Sequence, residues 1–279
     1  TISVGGILPE IGGNIRVGRS DLFLTEACEY TNSFLNFHPK YSIILNIEED
    51  HMDFFKDIND IRNSFHKFAQ NTAADGILFL NAAIDHPEEI TADLKERIVT
   101  FGLTEDADYT ATDITYNGEA CASFTFNVRG QAAGHVSLNV PDKHNIANAL
   151  AAIAVAYDQG LTLDDIRCGL LTYEGLAMRQ QIHELDKITV IDDSYNASPD
   201  SIKSGIGVLM AVKHWKENCC AGGYAGAGRA VRPGPLGVGR LRGGKRSRRS
   251  GHGWPGSGKN CGRGRRGKQK NFGESLRNQ

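Results

Sequence analysis

The stretch YSIILNIEEDHMDFF (Tyr41–Phe55) decides the fold class. Its first half is a mostly apolar run of strand length, and its second half turns acidic and then aromatic. A strand buried on both faces reads this way, as in a parallel sheet covered by helices. DLFLTEA (Asp21–Ala27) repeats the pattern of an apolar run with an acidic end, and GILFLNA (Gly76–Ala82) and RIVTFGL (Arg97–Leu103) read as further strands. Between Asp57 and Gln70 the residues Ile58, Ile61, Phe65 and Phe68 recur at helical spacing, and HPEEITADLKE (His86–Glu96) predicts a second helix. Strands alternating with helices predict an α/β sheet.

Further along, the period changes to two. YTATDITYNG (Tyr109–Gly118), ASFTFNV (Ala122–Val128) and HVSLNV (His135–Val140) alternate between glycine-containing turns, which predicts a small antiparallel appendage. HNIANALAAIAVAYDQG (His144–Gly160) predicts an Ala-rich helix stopped by Gly160, followed by a helix in LTLDDIRCGLLTY with Thr162 as its cap. KITVIDDSYNASPDSIKSGIGVLMAV (Lys187–Val212) then gives strand, polar turn and helix, the opening of a second α/β unit with Ser198 as N-cap before Pro199.

Charge divides the chain unevenly. Residues 1–220 carry 16 Lys and Arg against 32 Asp and Glu, whereas 221–279 carry 15 against the single acid Glu274, so the net charge of −2 sums two unlike pieces. The six cysteines form no C-x-x-C pair, which signals neither a zinc site nor a disulfide framework and suits a reducing cytoplasm. No apolar run approaches the ~18 residues of a membrane span, and no secretory signal pattern opens the chain.

Glu26 ends one expected strand and His51 follows another, so a parallel sheet would carry both to its carboxyl edge, where ligands bind in open α/β folds. There a carboxylate can hold Mg²⁺ between phosphate oxygens, and an imidazole can add a ligand or hold its water. The same residues also serve as ordinary strand and helix caps. His144, Asn145 and Asn148 fall on the first turns of a helix, placed to reach a base or phosphate, or simply to cap. Arg179 and DDSYNASP (Asp192–Pro199) are open to the same two readings.

Taken together, these stretches resemble the Mur ligases, the ATP-dependent amide synthetases of peptidoglycan assembly. SVGGILPEIGGNIRVGRSDLFLTEACEYTNSFLNFHPKYSIILNIEEDHMDFF (Ser3–Phe55) and VPDKHNIANALAAIAVA (Val140–Ala156) resemble the central ATPase domain of the alanine-adding branch, over residues 1–172. EGLAMRQQIHELDKITVIDDSYNASPDSIKSGIGVL (Glu174–Leu209) resembles the branch that adds D-alanyl-D-alanine. The resemblance implies that Glu26 and His51 bind Mg²⁺ and that His144, Asn145 and Asn148 help seat ATP. It further implies nucleotide contacts from Arg179, Asp193 and Asn196, with Glu29 and Tyr30 near the substrate. The implied partners are a UDP-N-acetylmuramate-type substrate and an amino acid or dipeptide, in the cytoplasm, with no membrane and no specific nucleic acid. The implied layout is a central domain over 1–177, the start of a Rossmann-like C-terminal domain over 178–215, and a disordered tail over 216–279. In the family the phosphate loop precedes the SVGG stretch, so this chain is expected to show no ligase turnover by itself. With the C-terminal sheet incomplete, Ile191 and Leu209 would lack cover, and low solubility is expected.

The tail contains GWPGSGKN (Gly253–Asn260), a near match to a P-loop, but Asn260 stands where Ser or Thr would hold Mg²⁺. With 17 Gly and 11 Arg in residues 221–279, the segment lacks the apolar content to fold. Such a tail can bind single-stranded nucleic acid through charge and the aromatics Tyr224, Trp254 and Phe272, which gives a non-enzymatic alternative. A different reading comes from the codons. GGYAGAGRAV (Gly222–Val231) back-translates so that the frame one base later encodes Ala-Asp-Met-Leu-Glu-Leu-Gly-Glu-Gln. The core of that peptide is the Asp-Met-Leu-Glu-Leu-Gly motif that the resemblance places here. A frameshift between Ala211 and Gly222 is therefore expected.

Overall fold

The computed structural model of the chain describes residues 1–185 and 189–212. Strands β1 (Ile2–Leu8), β2 (Gly13–Arg16) and β3 (Leu24–Thr25) form a small sheet in the order β2-β1-β3, with β3 parallel to β1. The main sheet has six strands in chain order: β4 (Tyr41–Ile44), β5 (Ile77–Asn81), β6 (Arg97–Phe101), β7 (Tyr109–Tyr116), β8 (Cys121–Val128) and β9 (Gln131–Pro141). From β4 to β7 neighbours run parallel, and from β7 to β9 antiparallel.

The alternation of side chains along β5 explains why its sequence is apolar from Ile77 to Leu80. Ile77 and Phe79 enter one core, with Val99, Phe101, Phe124 and Phe126 of the neighbouring strands, beneath helices α3 (His144–Asp158) and α4 (Leu163–Thr172). Leu78 and Leu80 enter the opposite core, with Phe34, Ile44 and the Phe68 and Ala69 face of α1 (Ile58–Gln70). A sheet covered on both sides needs strands of this kind. Phe34 stacks on Phe68 with ring centroids 4.8 Å apart and is 1% exposed, so it anchors the segment Tyr30–Asn36 to α1.

Helix ends follow the capping residues. The Asp57 carboxylate accepts from the Asp60 N–H at the start of α1, and Thr162 and Asp165 form a reciprocal capping box on α4. Gly160, at φ +77°, stops α3 in the left-handed conformation that costs a glycine nothing. The short helix α2 (Pro87–Thr91) ends well before Glu96, the expected limit. At the end of the described chain, a hairpin of β10 (Gln181–Glu184) and β11 (Thr189–Asp192) leads to α5 (Pro199–Ala211), capped by Ser198 as its sequence predicts. Ile191 and Leu209 are half-buried.

The structure differs from the sequence expectations in three ways. DLFLTEA contributes only Leu24 and Thr25 as strand, in the small sheet rather than beside β4, and Leu22, Phe23 and Leu24 are exposed by 62, 61 and 57%. Among the described residues β3 is bonded to β1 alone, so this apolar run is not buried as its pattern suggests. The antiparallel appendage forms as expected, but it is not separate from the main sheet. Its strands continue the main sheet through the Phe101–Tyr109 pairing, because their inward residues share the α3 core with β5 and β6. The hairpin strand β10 has no forerunner in the sequence reading, since Gln181–Glu184 is largely polar and its outward residues face solvent. Among the described residues no helix is long and apolar enough to cross a membrane, and Cys28, Cys121 and Cys168 are unpaired. The near P-loop Gly253–Asn260, the tail and the proposed frame change lie outside the described residues.

Candidate functional site

The loop leaving β4 turns sharply at His51, whose φ of +53° is unusual for a residue other than glycine. Its N–H donates to Asp50 Oδ1 (2.7 Å), and its carbonyl accepts from the N–H groups of Phe54 and Phe55 (2.8 and 3.0 Å). The turn aims the imidazole back at the segment after β3. There Nε2 lies 3.4 Å from Glu29 Oε1, and the ring lies 4.6 Å from that of Tyr30. Tyr30 donates its hydroxyl to Asp53 Oδ2 (3.0 Å), and this hydrogen bond, with the Asp53 charge, pushes the phenol above its usual range. Glu29, Asn46, Glu48 and Asp50 line a polar pocket of about 190 Å³, floored by Phe55, Ile61 and Phe65.

Glu26 sits apart from this cluster. Its Oε2 accepts the Gly5 N–H, and a Cβ at position 5 would lie 2.9 Å from that oxygen, so only glycine admits the approach. The structure therefore brings His51, Glu29 and Tyr30 together and attaches Glu26 to the small sheet. Among the described residues no group of three or more His, Cys, Asp or Glu side chains is arranged to cage a metal ion. The donors present suit a hard cation that keeps water and phosphate oxygens as most of its ligands, the habit of Mg²⁺.

A second cluster forms at the start of α3. Asn145 donates to the Pro141 carbonyl (2.6 Å), and Asn148 donates to Asn145 Oδ1 (3.2 Å). Both amides stand on the rim of an apolar groove of about 510 Å³ between α3, α4 and β9, walled by Leu45, Leu138, Ala152, Ile166 and Tyr173. His144 Nδ1 lies 3.0 Å from Asp142 Oδ2. Burial raises the Asp142 carboxyl, but hydrogen bonds from His144 and Gln180, the His144 charge and the Lys143 N–H outweigh it and hold the group at about 2. The Arg179 guanidinium lies 4.2 Å from the centre of the Tyr195 ring, and the Tyr195 N–H donates to the Met178 carbonyl, tying together the segments that enter and leave the hairpin. Asp193 faces Gly205 of α5, where a Cβ would lie 3.0 Å from its Oδ2, and the Asn196 side chain accepts the Ala197 N–H (2.8 Å).

Three polar partners escaped the sequence reading: Asp53, Asp142 and Gln180. Asp142 had a signal, an acid two residues before His144, but Gln180 had none.

A doubly covered α/β sheet with polar residues at strand ends and at a helix N-terminus is a layout in which open α/β folds bind ligands. The family profile described as the Mur ligase middle domain matches residues 13–156, and the chain belongs to the Mur ligase family. The UDP-N-acetylmuramate–L-alanine ligase of Agathobacter rectalis is 49% identical over 215 residues, 77% of this chain and 47% of that protein. The corresponding ligase of Lachnospira eligens is 42% identical over 220 residues, 78% of this chain and 47% of that protein. Each match is longer than residues 1–172, so likeness to the alanine-adding branch runs past Glu174. The chain spans about half the length of these relatives. Among solved structures, UDP-N-acetylmuramate–alanine ligase from Thermotoga maritima superposes with a TM-score of 0.64 at 27% identity, covering 76% of this chain and 47% of that one. MurF from Acinetobacter baumannii gives 0.60 at 27% identity, over 68% and 42%. MurF from Thermotoga maritima, solved with ADP, shares the fold with a TM-score of 0.59 at 19% identity, over 75% and 51%.

Proposed function

We propose that the protein this chain represents joins an amino acid to a UDP-N-acetylmuramate-type substrate at the expense of ATP. The γ-phosphoryl group passes from ATP to the substrate carboxylate, releasing ADP. The amine then attacks the acyl phosphate, and phosphate leaves as the amide forms. Identity of 49% to an L-alanine ligase carries the reading and favours L-alanine as the amino acid. Addition of D-alanyl-D-alanine is the second reading, favoured by the Glu174–Leu209 stretch and the MurF neighbours.

The residues divide the work by chemistry. His144, Asn145 and Asn148 would seat the nucleotide, with the amides at the edge of an apolar groove broad enough for a base. Arg179, Asp193 and Asn196 would close on it from the β10–β11 hairpin and the turn into α5. Glu26 and His51 would hold Mg²⁺, which when bound offsets charge on the phosphate oxygens. Glu29 and Tyr30, packed beside His51, would face the substrate. We place this chemistry in the cytoplasm.

Calorimetric titration of the chain with ATP, in Mg²⁺ and in EDTA, tests the nucleotide assignment. Mg²⁺-dependent binding that His144→Ala and Asn148→Ala each weaken about tenfold, a loss of about 1.4 kcal/mol, would agree with it. Binding indifferent to both substitutions would contradict it. The non-enzymatic nucleic-acid alternative draws no support from relatives that are ligases.

The tail is proposed to be out-of-frame translation. In support, the two curated relatives above match 77% and 78% of the chain, an extent close to its length without the Gly/Arg-rich segment. The gene sequence tests this: codons for Gly222–Val231 that cannot yield the shifted peptide would refute it.

A further inference from the structure

Gln180 is 7% exposed and has φ +49°, a strained backbone setting for a residue with a Cβ. Its Nε2 donates to Asp142 Oδ2 and to Ser204 Oγ, each at 3.0 Å, while its Oε1 is buried with no partner among the described residues. The orientation is fixed by chemistry: a carboxylate only accepts, so the amide nitrogen must face Asp142, and a flipped amide would set oxygen against oxygen. An unpartnered buried carbonyl is a cost that an apolar side chain of equal length would not incur. What the amide provides is a link. Asp142, at φ +84°, also accepts from the Lys143 N–H and from His144 Nδ1. Ser204 Oγ, on α5, stands 3.4 Å from the same Nδ1. With a carboxylate oxygen 3.0 Å away, Nδ1 carries the proton, and Nε2 is the ring nitrogen left to meet a ligand.

We propose that Gln180 is a positioning residue of the nucleotide site: through Asp142 it sets the orientation and tautomer of His144, and through Ser204 it couples that setting to α5. The role rests on the reading of His144 as a nucleotide contact. A change in the packing of α5 would then be felt at the imidazole, although Gln180 touches no substrate.

The test is the ¹⁵N signature of the His144 ring in the full chain, compared with Gln180→Met, which keeps length and loses both donors. The neutral ring should be protonated at Nδ1 in the parent and shift toward the Nε2-protonated form in the variant, with ATP affinity falling about tenfold as for other supporting hydrogen bonds. Ser204→Ala, a mild surface-side change, should move the signature in the same direction and serves if Gln180→Met does not fold. A folded variant of either kind with the parent ring signature would overturn the proposal. Failure of the nucleotide reading looks different: His144→Ala would leave ATP affinity unchanged while the ring still responded to Gln180→Met.

Discussion

Asp142 concentrates several forces in one side chain that is 12% exposed. Its folded-state carboxyl is held at about 2, below the ordinary 3.8, so its ionised form stabilises the fold. The contribution, about 2 kcal/mol, is fully present above the unfolded value near pH 4 and is lost as pH falls through about 2. Urea unfolding at pH 5 and pH 2 should therefore show an acid-dependent loss that Asp142→Asn largely abolishes; an equal loss in the variant would assign it to other groups. Gly5 makes a complementary case. Gly5→Ala drives a Cβ toward Glu26 Oε2, so the carboxylate must move, and the Mg²⁺ dependence of ATP binding should weaken with little change in binding without metal. Unaltered Mg²⁺ dependence would separate Glu26 from the metal. The sequence offered Glu26, His51 and His144 as candidates through their expected places at strand and helix ends. It could not announce Gln180, since a polar residue earns a role there only through partners 38 and 24 positions away.

Two elements with one dominant pattern read true. The apolar run of β5 and the helical spacing of α1 each describe what they bury, and Thr162 and Ser198 mark helix starts because their side chains satisfy the first free N–H groups. Thr162→Ala should cost about 1 kcal/mol in thermal or urea unfolding, as a lost cap does. Phe34→Ala should cost about 3–5 kcal/mol, because it empties the space against Phe68 and Phe65; a loss under 1 kcal/mol would mean that Tyr30–Asn36 is not anchored there. The small sheet was not legible, since glycines interrupt TISVGGILPEIGGNIR and β3 is only two residues long. Nor could periodicity reveal that β7–β9 continue the main sheet, because an alternating pattern fixes which face is buried but not against what.

At the scale of the molecule, three parts have to come together: Glu26 on the small sheet, the cluster of His51, Glu29 and Tyr30, and His144, Asn145 and Asn148 at the start of α3. Their cooperation on one magnesium–nucleotide complex is the central claim. A crystal structure of the chain with Mg²⁺ and a non-hydrolysable ATP analogue tests it most directly. The account predicts a metal within ~2.1 Å of a Glu26 oxygen or of a water held by His51, with the base in the groove beside Asn148. A nucleotide bound elsewhere, or a metal coordinated without Glu26 and His51, would contradict it.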